Sequence, residues 1–180
     1  MSQASQSFQS ETDTAYLMIS GTVTAFRATE FVAELSRHFA RVITVQTPNA
    51  TRLISPRDLM RIANNQVVES YFDARILPRP TPGPVVFAPC SFNSLNKLAH
   101  GLADNLALAI TAEMIGHGQP VIVAASLNVP LWAHPQARSS VTTLRSWGVT
   151  VFEPVDDGNR GLTMAPTATI LASLTRSGAG

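Results

Sequence analysis

The 180-residue chain has a single cysteine, Cys90, so no internal disulfide framework can form, and this fits a reducing compartment. Charge is scarce as well. Charged residues make up 14% of the chain, and 13 Lys and Arg stand against 12 Asp and Glu, for a net charge of +1. That balance leaves no electrostatic case for nucleic acid or for an anionic membrane. No uninterrupted apolar run approaches the ~20 residues that a membrane helix needs. The opening stretch, MSQASQSFQSETDT, lacks the apolar core of a signal peptide. The expectation is a soluble, cytoplasmic protein. The dinucleotide motif GxGxxG, the P-loop signature and the nucleophile elbow GxSxG are all absent. Four histidines occur, His38, His100, His117 and His134, and none has a partner at metal-ligand spacing, so no metal site is expected. There is no internal repeat.

Hydrophobic residues are abundant at 45%, and 180 residues suffice for one domain with a sizeable core. So apolar a chain points to further surface buried between subunits. Residues 1–13 are rich in Ser, Gln and Thr and read as a disordered tail. One domain is expected over 14–176.

Short apolar runs alternate with helical patterns. Tyr16–Ile19, Val42–Val45, Val85–Ala88, Pro120–Ala125 and Val149–Phe152 read as five strands. After the first, Phe26, Phe31, Val32, Leu35 and Phe39 recur at helical spacing. Ser55-Pro56 begins a helix, with serine at the cap and proline at the first helical position. Pro78, Pro80, Pro82 and Pro84 predict an extended connector over the sheet edge. The run LNKLAHGLADNLALAITAEM is helical in pattern, and Asp104-Asn105 can cap the segment after Gly101. Gln136 to Trp147 predicts a helix ending at Gly148. A polar, glycine-containing loop covers 156–161, and Ala165 to Leu174 a short closing helix before a frayed SGAG end. The expected fold is α/β: a single-domain doubly wound, Rossmann-like or flavodoxin-like parallel sheet with helices on both faces.

In such sheets ligands bind beyond the carboxyl ends of the strands. Four polar loops directly follow strands there, at 20–24, 46–51, 90–94 and 126–128, so they can converge on one ligand. Gly21 permits close backbone approach. Thr22 and Thr24 can cap a helix or hold a phosphate. Cys90 reads as a small buried residue. Asn128 sits in a rigid apolar loop before Pro130 and Trp132, with two amide donors and an acceptor to offer.

Ala88-Pro89-Cys90-Ser91-Phe92-Asn93-Ser94, with Asn96-Lys97 and then Gly101-Leu102-Ala103-Asp104-Asn105-Leu106, resembles the "APxSANTxxK…GxxDNLL" block of the flavin-containing cysteine decarboxylases. That family includes phosphopantothenoylcysteine decarboxylase and the peptidyl-cysteine decarboxylases of epidermin type. Ser20 to Ala25 is similar to the family's first "GSxAA" turn, and Thr47-Pro48-Asn49 stands where its second flavin loop lies. Ala125 to Trp132, followed by Pro135, is similar to "PxMNxxMW…P", with Ala125, Leu127 and Leu131 in place of the Pro and both Met.

The resemblance implies a flavoprotein domain with FMN as cofactor. By position, FMN would be held by Gly21, Thr22, Val23, Thr47, Asn49, Ser91, Asn93, Ser94 and Ser126, and the substrate carboxylate by Asn128. It implies a homotrimer or homododecamer. The family's catalytic histidine would fall near Arg75, where this chain has no histidine. Phosphopantothenoylcysteine decarboxylases use a cysteine in a C-terminal flap to return the enethiol to a thiol, and no cysteine follows Cys90 here. The implied reaction is oxidative decarboxylation of the C-terminal cysteine of a ribosomally made precursor peptide, with the 155–163 loop closing over it. Hydride would leave the cysteine β-carbon and carbon dioxide would follow, giving an enethiol, the precursor of aminovinyl-cysteine. The alternatives are a phosphopantothenoylcysteine decarboxylase of coenzyme A synthesis and a non-catalytic flavin-binding or regulatory subunit.

Overall fold

A computed structural model describes residues 13–158 and 161–174. The expected N-terminal tail, apart from Asp13, and the SGAG end lie outside the described residues. Six strands form one parallel sheet: β1 (Thr14–Ile19), β2 (Arg41–Gln46), β3 (Asn65–Val67), β4 (Val85–Cys90), β5 (Val121–Ala125) and β6 (Thr150–Phe152). Their order is β3-β2-β1-β4-β5-β6, and each adjacent pair is parallel. Every residue of β1, β4 and β5 is buried. A parallel sheet covered on both faces requires such continuous apolar runs.

Among the described residues, seven α-helices surround the sheet: α1 (Ala28–His38), α2 (Pro56–Met60), α3 (Phe92–Ala99), α4 (Leu106–Gly116), α5 (Val129–Ala133), α6 (Pro135–Ser146) and α7 (Thr167–Leu171). Successive strand residues point to opposite faces, and two apolar clusters result. Leu17, Ile19, Val86, Ala88 and Ile122 pack with Phe31, Val32 and Leu35 of α1, Leu59 of α2 and Ile170 of α7. Tyr16, Met18, Ile43, Phe87 and Val123 pack with Leu95 and Leu98 of α3, Leu108 and Met114 of α4, and Leu144 of α6. The sheet is doubly wound, as expected.

Several elements differ from the sequence expectation. The edge strand β3 was not anticipated. Its sequence, Asn-Gln-Val, is too short and polar to show a strand pattern, and it is fixed by side-chain bonds instead. Thr44 Oγ1 donates to Asn65 Oδ1 at 2.6 Å, and Asn65 Nδ2 donates to the Leu59 carbonyl at 2.9 Å. Phe26 does not join the buried face of α1; it is 68% exposed. The chain first makes a 3-10 turn over Ala25–Arg27, and its tighter winding places Phe26 out of phase with the helix that follows. Neither Thr22 nor Thr24 caps a helix through its side chain.

The long helical run is two helices. Gly101 takes a left-handed φ of +67°, and Asn105 caps α4 by accepting from the Leu108 N–H at 3.2 Å. Part of the loop after β5 is the single-turn helix α5. The polar loop at 156–161 lies between two short antiparallel strands, β7 (Val155–Asp156) and β8 (Leu162–Thr163); its residues 159 and 160 lie outside the described residues. The closing helix is shorter than expected, at Thr167–Leu171.

The proline-rich connector replaces a crossover helix. Val68 and Ile76 join the apolar cluster that contains Tyr16 and Ile43. The Tyr16 hydroxyl donates to the Thr81 carbonyl at 2.7 Å, and burial pushes this phenol up to about 12. Within the connector the Arg75 guanidinium grips Asp73 twice, Nε to Oδ1 at 2.8 Å and Nη2 to Oδ2 at 2.5 Å. Those hydrogen bonds hold the Asp73 carboxyl down at about 2. A lowered folded pKa means that the pair's contribution is complete above the ordinary carboxylate range and is lost as pH falls through about 2. A carbon NMR titration should therefore place the Asp73 midpoint near 2, and a midpoint near 4, the ordinary value, would show that the pair does not form in solution.

Candidate functional site

Strand order reverses between β1 and β4: from β1 the chain moves outward to β2 and β3, then returns to start β4 on β1's other side. This is a topological switch point, where the loops after adjacent strands diverge and leave a crevice. A recess of about 260 Å3 lies there, lined by Gly21 after β1, Thr47, Pro48 and Asn49 after β2, and Ser91, Asn93 and Ser94 after β4, together with Lys97, Asp104 and Asn105. It is somewhat smaller than the roughly 300–1,000 Å3 of typical small-molecule sites, a volume for part of a nucleotide-sized ligand rather than the whole.

Local sequence explains each wall. Ser91 directly follows β4 and caps α3, its hydroxyl accepting from the Ser94 N–H at 3.2 Å. Asn93, Ser94 and Lys97 are spaced i, i+1 and i+4, so they share a face of α3. Beneath them runs a relay of hydroxyls. Ser20 Oγ donates to Ser94 Oγ at 2.9 Å, and Ser91 Oγ donates to Ser94 Oγ at 3.2 Å. A second relay joins the β1 and β5 loops, with Thr24 Oγ1 at 2.7 Å from Ser126 Oγ and at 3.1 Å from Thr22 Oγ1.

Gly21 is where the β1 and β2 loops meet. A Cβ there would stand 2.7 Å from Asn49 Cβ and 2.8 Å from the Asn49 carbonyl carbon. Backbone atoms cannot swing aside, so Gly21→Ala must push the 47–49 wall outward. Overpacking of this kind costs about 1–3 kcal/mol. The urea midpoint of Gly21→Ala should fall accordingly, and an unchanged midpoint would mean that the two loops are not in contact.

Of the residues assigned from sequence, Gly21, Thr47, Asn49, Ser91, Asn93 and Ser94 line one recess. Thr22 and Ser126 do not line it and belong to the adjoining relay. Val23 is 89% exposed beside it. Asn128 also stands apart. Its Oδ1 accepts from the Leu131 N–H at 3.0 Å and caps α5, which leaves Nδ2, a donor, as the part of the amide offered outward. The sequence motifs include the buried Ser20 as well as Lys97 and Asp104, but none of the three was assigned to the site from sequence. The helical spacing from Asn93 to Lys97 was the available signal. Arg75 does not line the recess. Cys90 is fully buried as expected, and burial pushes its thiol far above the ordinary value.

The donor set fits a phosphate. Hydroxyls, amides, the N-terminal end of an eight-residue helix and one ammonium, Lys97, which is paired with the Asp104 carboxylate, surround the recess. A larger groove of about 480 Å3 runs between α1 and α7, but the carboxylates of Glu30 and Glu34 line it and it holds no residue of the converging loops. Among the described residues, no group of three or more His, Cys, Asp or Glu gathers as metal ligands. Nor is any helix among them long and apolar enough to cross a membrane.

The chain belongs to the flavoprotein family, whose model matches residues 3–177. FMN is accordingly the cofactor that the family and its FMN-dependent structural neighbours support. Among curated relatives, the coenzyme A biosynthesis bifunctional protein CoaBC of Mycobacterium bovis is 30% identical over 168 residues, 87% of this chain and 40% of its own length. The chain thus spans about 40% of that relative. Among solved structures, the peptidyl-cysteine decarboxylase EpiD superposes with a TM-score of 0.75 at 20% identity, covering 88% of this chain and 96% of EpiD. EpiD has also been solved as a variant complexed with the substrate peptide DSYTC. The FMN-dependent cysteine decarboxylase TvaF from thioviridamide biosynthesis has a TM-score of 0.75 at 24% identity, covering 93% and 98% of the two chains. These two structural likenesses establish the shared fold.

Proposed function

We propose that the chain is an FMN-dependent decarboxylase acting oxidatively on the C-terminal cysteine of a ribosomally made peptide. The observation that carries the reading is the recess at the switch point, where six of the residues assigned from the sequence stand together around a phosphate-suited donor set. The family and the structural likeness to EpiD and TvaF support a flavin and cysteine chemistry.

When bound, FMN supplies the two-electron oxidant that a cysteine residue needs before it can lose its carboxylate easily. The chain's own residues bind and orient. Gly21, Thr47, Asn49, Ser91, Asn93 and Ser94 hold the cofactor, with Thr22, Val23 and Ser126 beside them. Asn128 meets the substrate carboxylate. Its capping bond to Leu131 fixes the amide so that Nδ2 faces outward as a hydrogen-bond donor. Overall the peptide loses carbon dioxide and two hydrogens, and the two electrons leave with the hydrogens. The Cα–carboxylate bond breaks, and its electron pair forms the carbon–carbon double bond of the enethiol. The antiparallel pair β7–β8 stands beside this end, since a Cβ on Gly161 would lie 3.4 Å from Val129 Cγ2. A homotrimer or a dodecamer built from trimers, in a reducing cytoplasm, completes the proposal.

A second reading has its own support. The CoaBC relative acts in coenzyme A biosynthesis by its name, so decarboxylation of phosphopantothenoylcysteine is the competitor. Against it, the 155–163 hairpin segment contains no cysteine to return an enethiol to a thiol. Anaerobic addition of a cysteine-terminated peptide to the FMN-loaded protein separates the two. The peptide reading expects lasting loss of the flavin absorbance. No bleaching with peptides, together with steady turnover of phosphopantothenoylcysteine, would reverse the assignment.

A further inference from the structure

Lys97 is the one ammonium on the recess wall, and Asp104 faces it from the turn after α3. The two form an ion pair, Lys97 Nζ to Asp104 Oδ2. Asp104 is tied further by the Asn105 amide at 3.3 Å, and the hydrogen bond from Lys97 lowers its carboxyl below the ordinary value. The rest of the lining is neutral: hydroxyls of Thr47, Ser91 and Ser94 and amides of Asn49, Asn93 and Asn105. A phosphate monoester carries up to two negative charges, and neutral donors alone leave them uncompensated. Lysine meets phosphate as a mobile point charge on a flexible stem. Its side chain here is 27% exposed, so it can turn from Asp104 toward the recess.

We infer that Lys97 selects the phosphorylated flavin over the unphosphorylated one, and that Asp104 is its competing counter-ion, parking the ammonium at the recess and giving it up when the phosphate enters. This rests on the flavin reading and deepens it by assigning the cofactor's selectivity to one side chain. Asp104 has a cost in this arrangement, because its own charge opposes the phosphate. The pair therefore sets affinity between two limits, one with no ammonium and one with an ammonium and no opposing carboxylate.

The test is equilibrium binding of FMN and of riboflavin, followed by flavin fluorescence, to the full-length wild-type, Lys97→Met, Asp104→Asn and double variants. Wild type should bind FMN far more tightly than riboflavin. Lys97→Met should weaken FMN about 10- to 150-fold, the worth of one charged hydrogen bond, and leave riboflavin unchanged. Asp104→Asn keeps an acceptor for Lys97 and removes a charge, so FMN should bind about two- to fivefold more tightly. In the double variant the gain from Asp104→Asn should shrink, because no ammonium remains to release. Equal losses of FMN and riboflavin in Lys97→Met would make Lys97 a structural residue and overturn the inference. So would an unchanged FMN affinity. Binding of neither flavin by wild type would instead sink the flavin reading itself, so the two failures are distinguishable.

Discussion

Asn93→Asp is expected to yield a folded, colourless protein. Asn93 is exposed at the second position of α3 and lines the recess. Aspartate has the same size and places a negative charge in the first helical turn, where it favours the helix dipole by about 0.3–1 kcal/mol. The fold therefore gains slightly or stays level. The same charge faces the phosphate seat. Two unit charges about 4 Å apart near a protein surface repel by about 4 kcal/mol, which is roughly a thousandfold in affinity. Thermal stability without cofactor and flavin content after purification move in opposite directions under this account. A yellow Asn93→Asp protein with wild-type flavin affinity would place the phosphate elsewhere.

The second large effect falls on turnover without touching the cofactor. Asn128→Ala removes the donor proposed for the substrate carboxylate, but it also removes the cap of α5, worth about 1 kcal/mol. Asn128→Asp separates these roles. Its carboxylate still accepts from the Leu131 N–H, the bond that Asn128 Oδ1 makes at 3.0 Å, so α5 keeps its cap. Toward the substrate it offers repulsion instead of a donor. Losing one hydrogen bond to a charged group costs about 1.5–3 kcal/mol, so Asn128→Ala should lose about 10- to 150-fold in kcat/KM, and Asn128→Asp more. Both should retain the flavin spectrum, because Asn128 does not line the recess. Full turnover in Asn128→Asp would remove Asn128 from the reaction.

The sheet was legible because burial on both faces writes strands as uninterrupted apolar runs, and Tyr16–Ile19, Val85–Ala88 and Pro120–Ala125 are of that kind. Helix ends showed where chemistry marks them. Ser55 accepts from the Arg57 N–H with Pro56 at the first helical position, Asn105 caps α4, and Gly148 takes its left-handed turn after α6 with φ of +83°. β3 stayed hidden because three residues give no period and its hold on the sheet is a side-chain network around Asn65. Phe26 misled because a 3-10 turn shifts the helical phase, which spacing alone does not reveal. In the site, the three loops after β1, β2 and β4 converged as expected, since strand ends fix loop positions. The fourth loop, carrying Ser126, joins the others through its backbone N–H to the Cys90 carbonyl at 2.9 Å and its hydroxyl to Thr24, a contact between residues 102 positions apart. Lys97 and Asp104 were in view as part of a motif, but their roles depend on α3 and the following turn folding back on each other, a tertiary fact.

The central proposed property of this protein is removal of carbon dioxide from a C-terminal cysteine with oxidation. The direct measurement is mass spectrometry of cysteine-terminated peptides incubated in air with the FMN-loaded protein. The predicted result is loss of carbon dioxide together with two hydrogens, which would also show that a family member with no histidine near Arg75 turns over. Loss of carbon dioxide alone would contradict the oxidative step and favour the coenzyme A reading. Unchanged masses across a peptide set varied at every position before the cysteine would contradict the decarboxylase itself and leave a flavin-binding subunit.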